Sequence, residues 1–248
     1  KKGVALIMYT FVYIISSSVT MKRNIFFITI ALGSIFLTGC SKVNDKEEIV
    51  EEMVDQEAVE KEKKIQEALS SYKKGEYPLY IDGIVLVNKD YGIPDDFATD
   101  LNSELLEQFE IMKSDAKKAG LDINIRSGFR TMETQEMLFN NYAKKDGIEK
   151  ANRYSAVPGY SEHQTGLAVD ISNGDYSTSI GDWFTETPQT KWLYENAHKY
   201  GFILRYPQGK EHITGYKYES WHYRYVGVYH SQHFNQNNLT LEEYLGVK

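Results

Sequence analysis

The run Gly166-Leu167-Ala168-Val169-Asp170-Ile171 alternates aliphatic side chains with small or acidic ones. A period of two marks a strand with one apolar face and one open face. It sends Leu167, Val169 and Ile171 to one side, and Ala168 with Asp170 to the other. An aspartate on the uncrowded side of such a strand has room for a ligand. His163 stands seven residues before Asp170, across Gly166 and after Pro158-Gly159, so it is expected on a loop at the mouth of that strand. This geometry permits the two side chains to converge.

A second motif, Glu219-Ser220-Trp221-His222, adds an imidazole and a carboxylate. Glu219 and His222 are three residues apart and would face opposite ways on a regular strand, so the chain must turn or bulge between them. Two His and one Asp form the ligand set of a catalytic zinc site that keeps one position open for water. Glu219 suits the role of general base, because a carboxylate bound to the metal cannot also accept the proton of the attacking water. The assignment is therefore His163, Asp170 and His222 as metal ligands with Glu219 as base. The same residues also have plainer readings: Asp170 as a strand end, Glu219 as a surface acid. The remaining histidines, His198, His212, His230 and His233, read as structural or surface residues.

With 248 residues, 42% of them hydrophobic, the chain can bury a substantial core and is expected to form one domain plus extra segments. A net charge of −7 argues against nucleic acid as a partner. The single cysteine, Cys40, excludes an intramolecular disulfide and a thiolate metal cluster. Met21-Lys22-Arg23-Asn24 is a basic start, Ile25 to Leu37 is almost wholly apolar, and Leu37-Thr38-Gly39-Cys40 follows. That ending resembles the bacterial lipobox, which implies lipidation of Cys40, with a plain transmembrane anchor as the other reading. Residues 1–40 are thus expected to be a signal region, with translation starting at Met21, and the product to sit outside the cytoplasm, anchored to the cell membrane. Residues 41–76 are crowded with Glu, Asp and Lys and read as a charged linker or tether helix. The catalytic domain is expected over 77–248.

Within that domain the elements do not alternate as βαβ units. Ile84 to Val87 reads as a strand, and Leu101 to Ala119 as a helix with apolar residues at Leu101, Leu105, Phe109 and Met112. Ile123 to Arg126 is a strand, and Thr131 opens a helix running to about Lys145. Lys191 to Tyr200 is a helix, Phe202 to Tyr206 and Tyr223 to Tyr229 are strands, and Leu241 to Leu245 is a terminal helix. The expected class is α+β.

Taken together, Ser161-x-His163 with Asp170, and Glu219-x-Trp221-His222, resemble the signature of the VanY-type zinc D-alanyl-D-alanine carboxypeptidases (peptidase family M15). Leu86-Val87-Asn88-Lys89, Ser127-Gly128-Phe129-Arg130 and Tyr200 through Pro207 match the same pattern in the same order, so the resemblance covers about Tyr77 to Gly246. It implies a Hedgehog-like α+β fold, one zinc ion, and removal of the C-terminal D-alanine from peptidoglycan stem peptides by a monomer. It implies roles for His163, Asp170 and His222 on zinc, for Glu219 as base, and for Arg130, Gln135 and Ser161 near substrate. Arg130 suits either the developing oxyanion or the free terminal carboxylate. Trp221 reads as a cavity wall or as core. Phe129 and Ser220 depart from the Tyr and Pro expected there, and neither change touches the metal chemistry. Trimming of tetrapeptide stems by an L,D-carboxypeptidase remains an alternative substrate preference, and a non-catalytic wall-binding lipoprotein would require a damaged ligand set.

Overall fold

The computed structural model describes residues 44–70, 77–177, 179–237 and 239–248. Its folded unit spans Glu52–Lys248. Cys40 and the lipobox lie outside the described residues. No helix among the described residues is long and apolar enough to cross a membrane.

The architecture is α+β. A two-stranded hairpin, β1 (Leu79–Ile81) and β2 (Ile84–Leu86), turns through Asp82 and Gly83, both at positive φ. The main sheet has four antiparallel strands in the order β3-β4-β6-β5, with β3 at Asn124–Ser127, β4 at Ala168–Ser172, β5 at Phe202–Leu204 and β6 at His222–Tyr225. Its central pair sets the site: Asp170 lies opposite His222, Val169 opposite Tyr223, and Ala168 opposite Arg224. The register of β3 on β4 shifts between Ile125 and Ser127, which brings Ser127 opposite Asp170.

Helix α1 (Asn44–Ser70) covers most of the segment read as a linker or tether helix. Lys63–Glu67 and Lys64–Glu60 are exposed i,i+4 ion pairs, at 3.8 and 3.7 Å. Ile65, just past the charged run, is buried with Phe139 and Ala143, so the packed unit reaches back before Tyr77. Helix α2 (Ser103–Lys118) starts at Asn102, whose side chain accepts from the backbone N–H groups of Glu104 and Leu105, and carries Lys117 and Lys118 in its last turn. Leu105, Phe109, Met112 and Ala116 form its buried stripe. Helix α3 (Met132–Asp146) is capped by Thr131 and stops at Gly147, at φ 85°.

The short α4 (Ile148–Ala151) follows α3. Helix α5 (Pro188–Asn196) begins three residues earlier than expected and passes into a 3-10 turn over Ala197–Tyr200. After α6 (Glu211–Thr214) and β6 the strand expected to reach Tyr229 ends at Tyr225. The chain reverses at Gly227, at φ 81°, and Val228–Asn237 forms helix α7. Val226 and Val228 therefore do not continue a strand face. The last helix, α8 (Leu241–Tyr244), is held by a capping box between Thr240 and Glu243.

Alternate side chains of the main sheet go to opposite faces, and in the central strands β4 and β6 both sets are buried. Val169, Ile171, Phe202, Tyr223 and Tyr225 pack with the α2 stripe, Phe184 and Leu193. The alternate residues Asp170, His222 and Arg224 point to the other side. There Ile203 joins Ile84, Leu86, Val226, Phe234, Leu241 and Leu245, so the hairpin, α7 and α8 cover part of this second face.

Candidate active site

His163 sits on a single 3-10 turn, Glu162–Thr165, that is buried throughout. Three local bonds fix it: Thr165 Oγ1 donates to the Glu162 carbonyl at 2.6 Å, the Leu167 N–H donates back to Thr165 Oγ1 at 2.9 Å, and Gln164 Oε1 accepts the Gly159 N–H at 2.9 Å. Gly166 closes the turn at φ 68°, where a Cβ would stand 2.3 Å from the Asp100 carbonyl oxygen, so only glycine fits. The turn delivers His163 to the mouth of β4, as the sequence suggested.

His163, Asp170 and His222 offer ligand atoms that all lie within 4.8 Å of one another, and all three side chains are buried. His163 Nε2 is 3.3 Å from Asp170 Oδ2, and His222 Nδ1 is 3.1 Å from Asp170 Oδ1. Each oxygen of Asp170 thus faces one imidazole, at separations near the roughly 3.3 Å ligand–ligand edge of a tetrahedral zinc with bonds of about 2.0–2.1 Å. The outward nitrogens are already committed. His163 Nδ1 donates to the Gly128 carbonyl at 2.8 Å, which fixes its Nε2 as the lone-pair nitrogen. His222 Nε2 faces Glu162 Oε2 at 3.3 Å, leaving its Nδ1 for a metal. Hard-oxygen and imidazole donors with tautomers set in advance fit one zinc ion.

The electrostatics agree. Burial opposes ionisation of Asp170, but the two imidazoles outweigh it and hold its carboxyl well below the usual range. Burial would likewise raise Glu162; Arg205, Arg224 and His222 instead keep it ionised. Glu219 behaves in the opposite way. Burial, assisted by the Asp170 charge, lifts it to about 7 against the pull of His222, Lys217 and Arg130. A carboxyl poised near neutrality is what a general base or acid needs. The predicted turn between the two motif residues is present: the His222 N–H donates to the Glu219 carbonyl at 3.2 Å, closing on the first residue of β6.

One cavity of about 300 Å³ collects these groups. His163, Asp170, His222, Glu219, Arg130, Ser161 and Trp221 all line it, so seven of the eight expected metal, base and substrate residues converge. Gln135 is placed differently. It is buried behind Arg130, accepting from Arg130 Nη1 at 2.7 Å and donating to the Ala156 carbonyl at 2.6 Å and to Ser155 Oγ at 3.3 Å. Ser127 Oγ takes the other guanidinium nitrogen, Nη2, at 3.0 Å. With both amide ends used, Gln135 braces Arg130 from behind and is not among the residues that line the cavity. Trp221 both lines the cavity and packs in the core, so its two readings coexist.

The sequence reading did not single out Glu162, nor the wall formed by Tyr142, Tyr154, Tyr206, Tyr216 and Lys217. Tyr206 lies 4.8 Å from His222, ring centre to ring centre, and 4.7 Å from Tyr216. The chain's 19 tyrosines were the available signal for that wall. Glu162 gave none beyond its place between Ser161 and His163.

Comparison with known proteins agrees with this geometry. Residues 98–228 match the family model described as VanY, D-alanyl-D-alanine carboxypeptidase. A putative carboxypeptidase of Bacillus subtilis, YodJ, is 38% identical over 180 residues, which is 65% of this chain and 66% of that protein. The chain thus spans just under two thirds of that relative's length. Among solved structures, the LdcB LD-carboxypeptidase superposes with a TM-score of 0.62 at 36% identity, covering 68% of this chain and 93% of that one. A variant of the D,D-pentapeptidase VanY from a VanB-type resistance cassette, in complex with Zn(II), gives 0.57 at 33%, covering 64% and 97%. By the extent of the family match, the chain belongs to the VanY family of D-alanyl-D-alanine carboxypeptidases.

Proposed function

We propose that this protein is a zinc carboxypeptidase that removes the C-terminal D-alanine from peptidoglycan stem peptides. The observation that carries the reading is the convergence of His163, Asp170 and His222 with Glu219 and Arg130 on one cavity. The three ligands would hold one zinc ion, which when bound supplies Lewis-acid polarisation of the scissile carbonyl and acidifies the attacking water. Glu219 takes the proton of that water and returns it to the departing amine. Arg130, braced by Gln135 and Ser127, presents a fork to the terminal carboxylate, and its charge also favours the developing oxyanion. Ser161 and Trp221 line the peptide's path. The aromatic wall excludes water and leaves Lys217 at the edge.

Incubating the full chain with defined pentapeptide and tetrapeptide stems, with and without chelator, tests this by release of D-alanine. Release that stops on chelation, returns with zinc and is lost in Glu219→Gln is expected; release that survives complete metal removal overturns it. Tetrapeptide trimming is a second reading, favoured by the similarity to the LdcB LD-carboxypeptidase, and the same assay ranks the two stems. Anchoring through a lipidated Cys40, outside the cytoplasm, and a monomeric state complete the proposal. The Leu37-Thr38-Gly39-Cys40 sequence supports the anchor, and intact mass of the membrane-extracted protein checks it.

A further inference from the structure

The face of the sheet that carries the metal ligands also buries two arginines and two glutamates in one chain of bonds. Glu162 Oε1 accepts from Arg205 Nε and from Arg224 Nη1, each at 2.8 Å, while its Oε2 alone faces His222 Nε2. Arg205 continues to α8: its Nη1 and Nη2 donate to the two carboxylate oxygens of Glu242 at 3.0 and 2.7 Å. Asn88 donates to the same Glu242 at 3.0 Å, and the Val87 and Val85 carbonyls accept from Arg205 and Arg224. Both arginines and both glutamates are buried.

Charge balance makes this chain a unit. Two buried guanidiniums need two carboxylates, and one of those carboxylates also serves the outward nitrogen of His222. Glu242 relieves Glu162 of half its load. With Glu242 neutral, Arg205 keeps only Glu162 as an ionic partner. Glu162 is then drawn off the imidazole, and an uncompensated positive charge remains beside the metal position. Both effects weaken cation binding.

We propose that Glu242, acting through Arg205 and Glu162, is a positioning residue for His222, so that the C-terminal helix α8 sets the strength of the metal site without touching the cavity. The proposal rests on His222 being a metal ligand. The test is apparent zinc affinity of the full chain, by competition with a chromophoric chelator, together with the ligand-field absorption of the cobalt-substituted protein. Outer-shell partners of metal-bound histidine are typically worth about 10–100-fold in metal affinity. That range is expected for Glu162→Gln combined with Arg224→Met, a pair that keeps the buried charges balanced. A smaller loss of roughly 3–10-fold, below that range, is expected for the more remote Glu242→Gln. The cobalt bands should move in energy in both, which a general loosening of the fold would not produce. Affinities within about twofold of the parent in Glu242→Gln, with unmoved bands, overturn the proposal, and that variant decides alone should the pair not fold. His222→Ala separates the two claims: if it keeps its zinc, the ligand assignment itself is wrong; if it loses zinc while Glu242→Gln binds normally, only the relay fails.

Discussion

The two faces of the main sheet solve opposite problems with adjacent residues. On the α2 side, Val169, Ile171, Tyr223 and Tyr225 sit in a core of Leu105, Phe109, Met112 and Phe202, held by area removed from water. On the other side, Asp170, His222 and Arg224 come from the same strands but meet Glu162, Arg205 and Glu219. The first face gains from burial; the second bears its cost, and recovers it only where each charge finds a partner. Glu219 is the group left without full compensation. The reactive groups are concentrated on the ionised part of the second face, while apolar packing fills the α2 face and, beside the ionised groups, the cluster of Ile203, Ile84 and Leu86.

The contrast is broken most strongly at Glu219. Glu219→Gln should lower kcat by about 10²–10⁴-fold, the range for loss of a general acid–base group, while the metal is retained. The same change should stabilise the metal-free protein at neutral and higher pH. Glu219 has its carboxyl raised from 4.5 to about 7 in the folded state, so folding binds protons in that window and stability falls as pH rises through it. Removing the charge recovers on the order of 2–3 kcal/mol at pH 8, and flattens the slope between roughly pH 4.5 and 7. Denaturant melts across pH, read beside turnover, check both halves; a variant both inactive and less stable would break the comparison.

The converse substitution lies on the dry face. Phe109→Ala removes a ring packed edge-on against Phe202, at 6.5 Å between centroids, and should cost about 3–5 kcal/mol in unfolding free energy. Activity per folded molecule and zinc affinity should stay within about twofold if the faces are energetically separate. Smallest is Asn102→Ala at the start of α2. The cap accepts two backbone N–H groups, and its loss should cost about 1 kcal/mol, read as a lowered Tm with no change in the pH profile.

How much of this was legible in the chain follows the same division. The dry face was readable because apolar periodicity is local: α2 and β4 announce themselves within a few residues. The convergence of the candidate ligands and base was readable because few residue types can do their chemistry, and the two motifs keep them together. Glu162 was not. Its meaning comes from Arg205 and Arg224, which approach from β5 and β6, 43 and 62 residues later, and in sequence it is one more acid before a histidine. Gln135 shows the reverse: a polar residue near Arg130 looked like a substrate contact, and only its burial reveals a brace. The overlong strand at Tyr223–Tyr229 failed where alternation runs on through Gly227, whose positive φ ends the strand and lets α7 begin.

Gly166 ties the two faces together. It closes the turn that carries His163, its carbonyl accepts the N–H of Asn102 at 2.9 Å, and its α-carbon is pressed against the Asp100 carbonyl. The metal turn and the first residue of the core helix are therefore docked on one point. Lifting the turn away from the sheet would break the bond from the Asn102 N–H to Gly166, so the floor of the cavity is tied to the start of α2. The more exposed lining of the cavity lies at Tyr142, Tyr154 and Ile180, of which Tyr142 is 37% exposed.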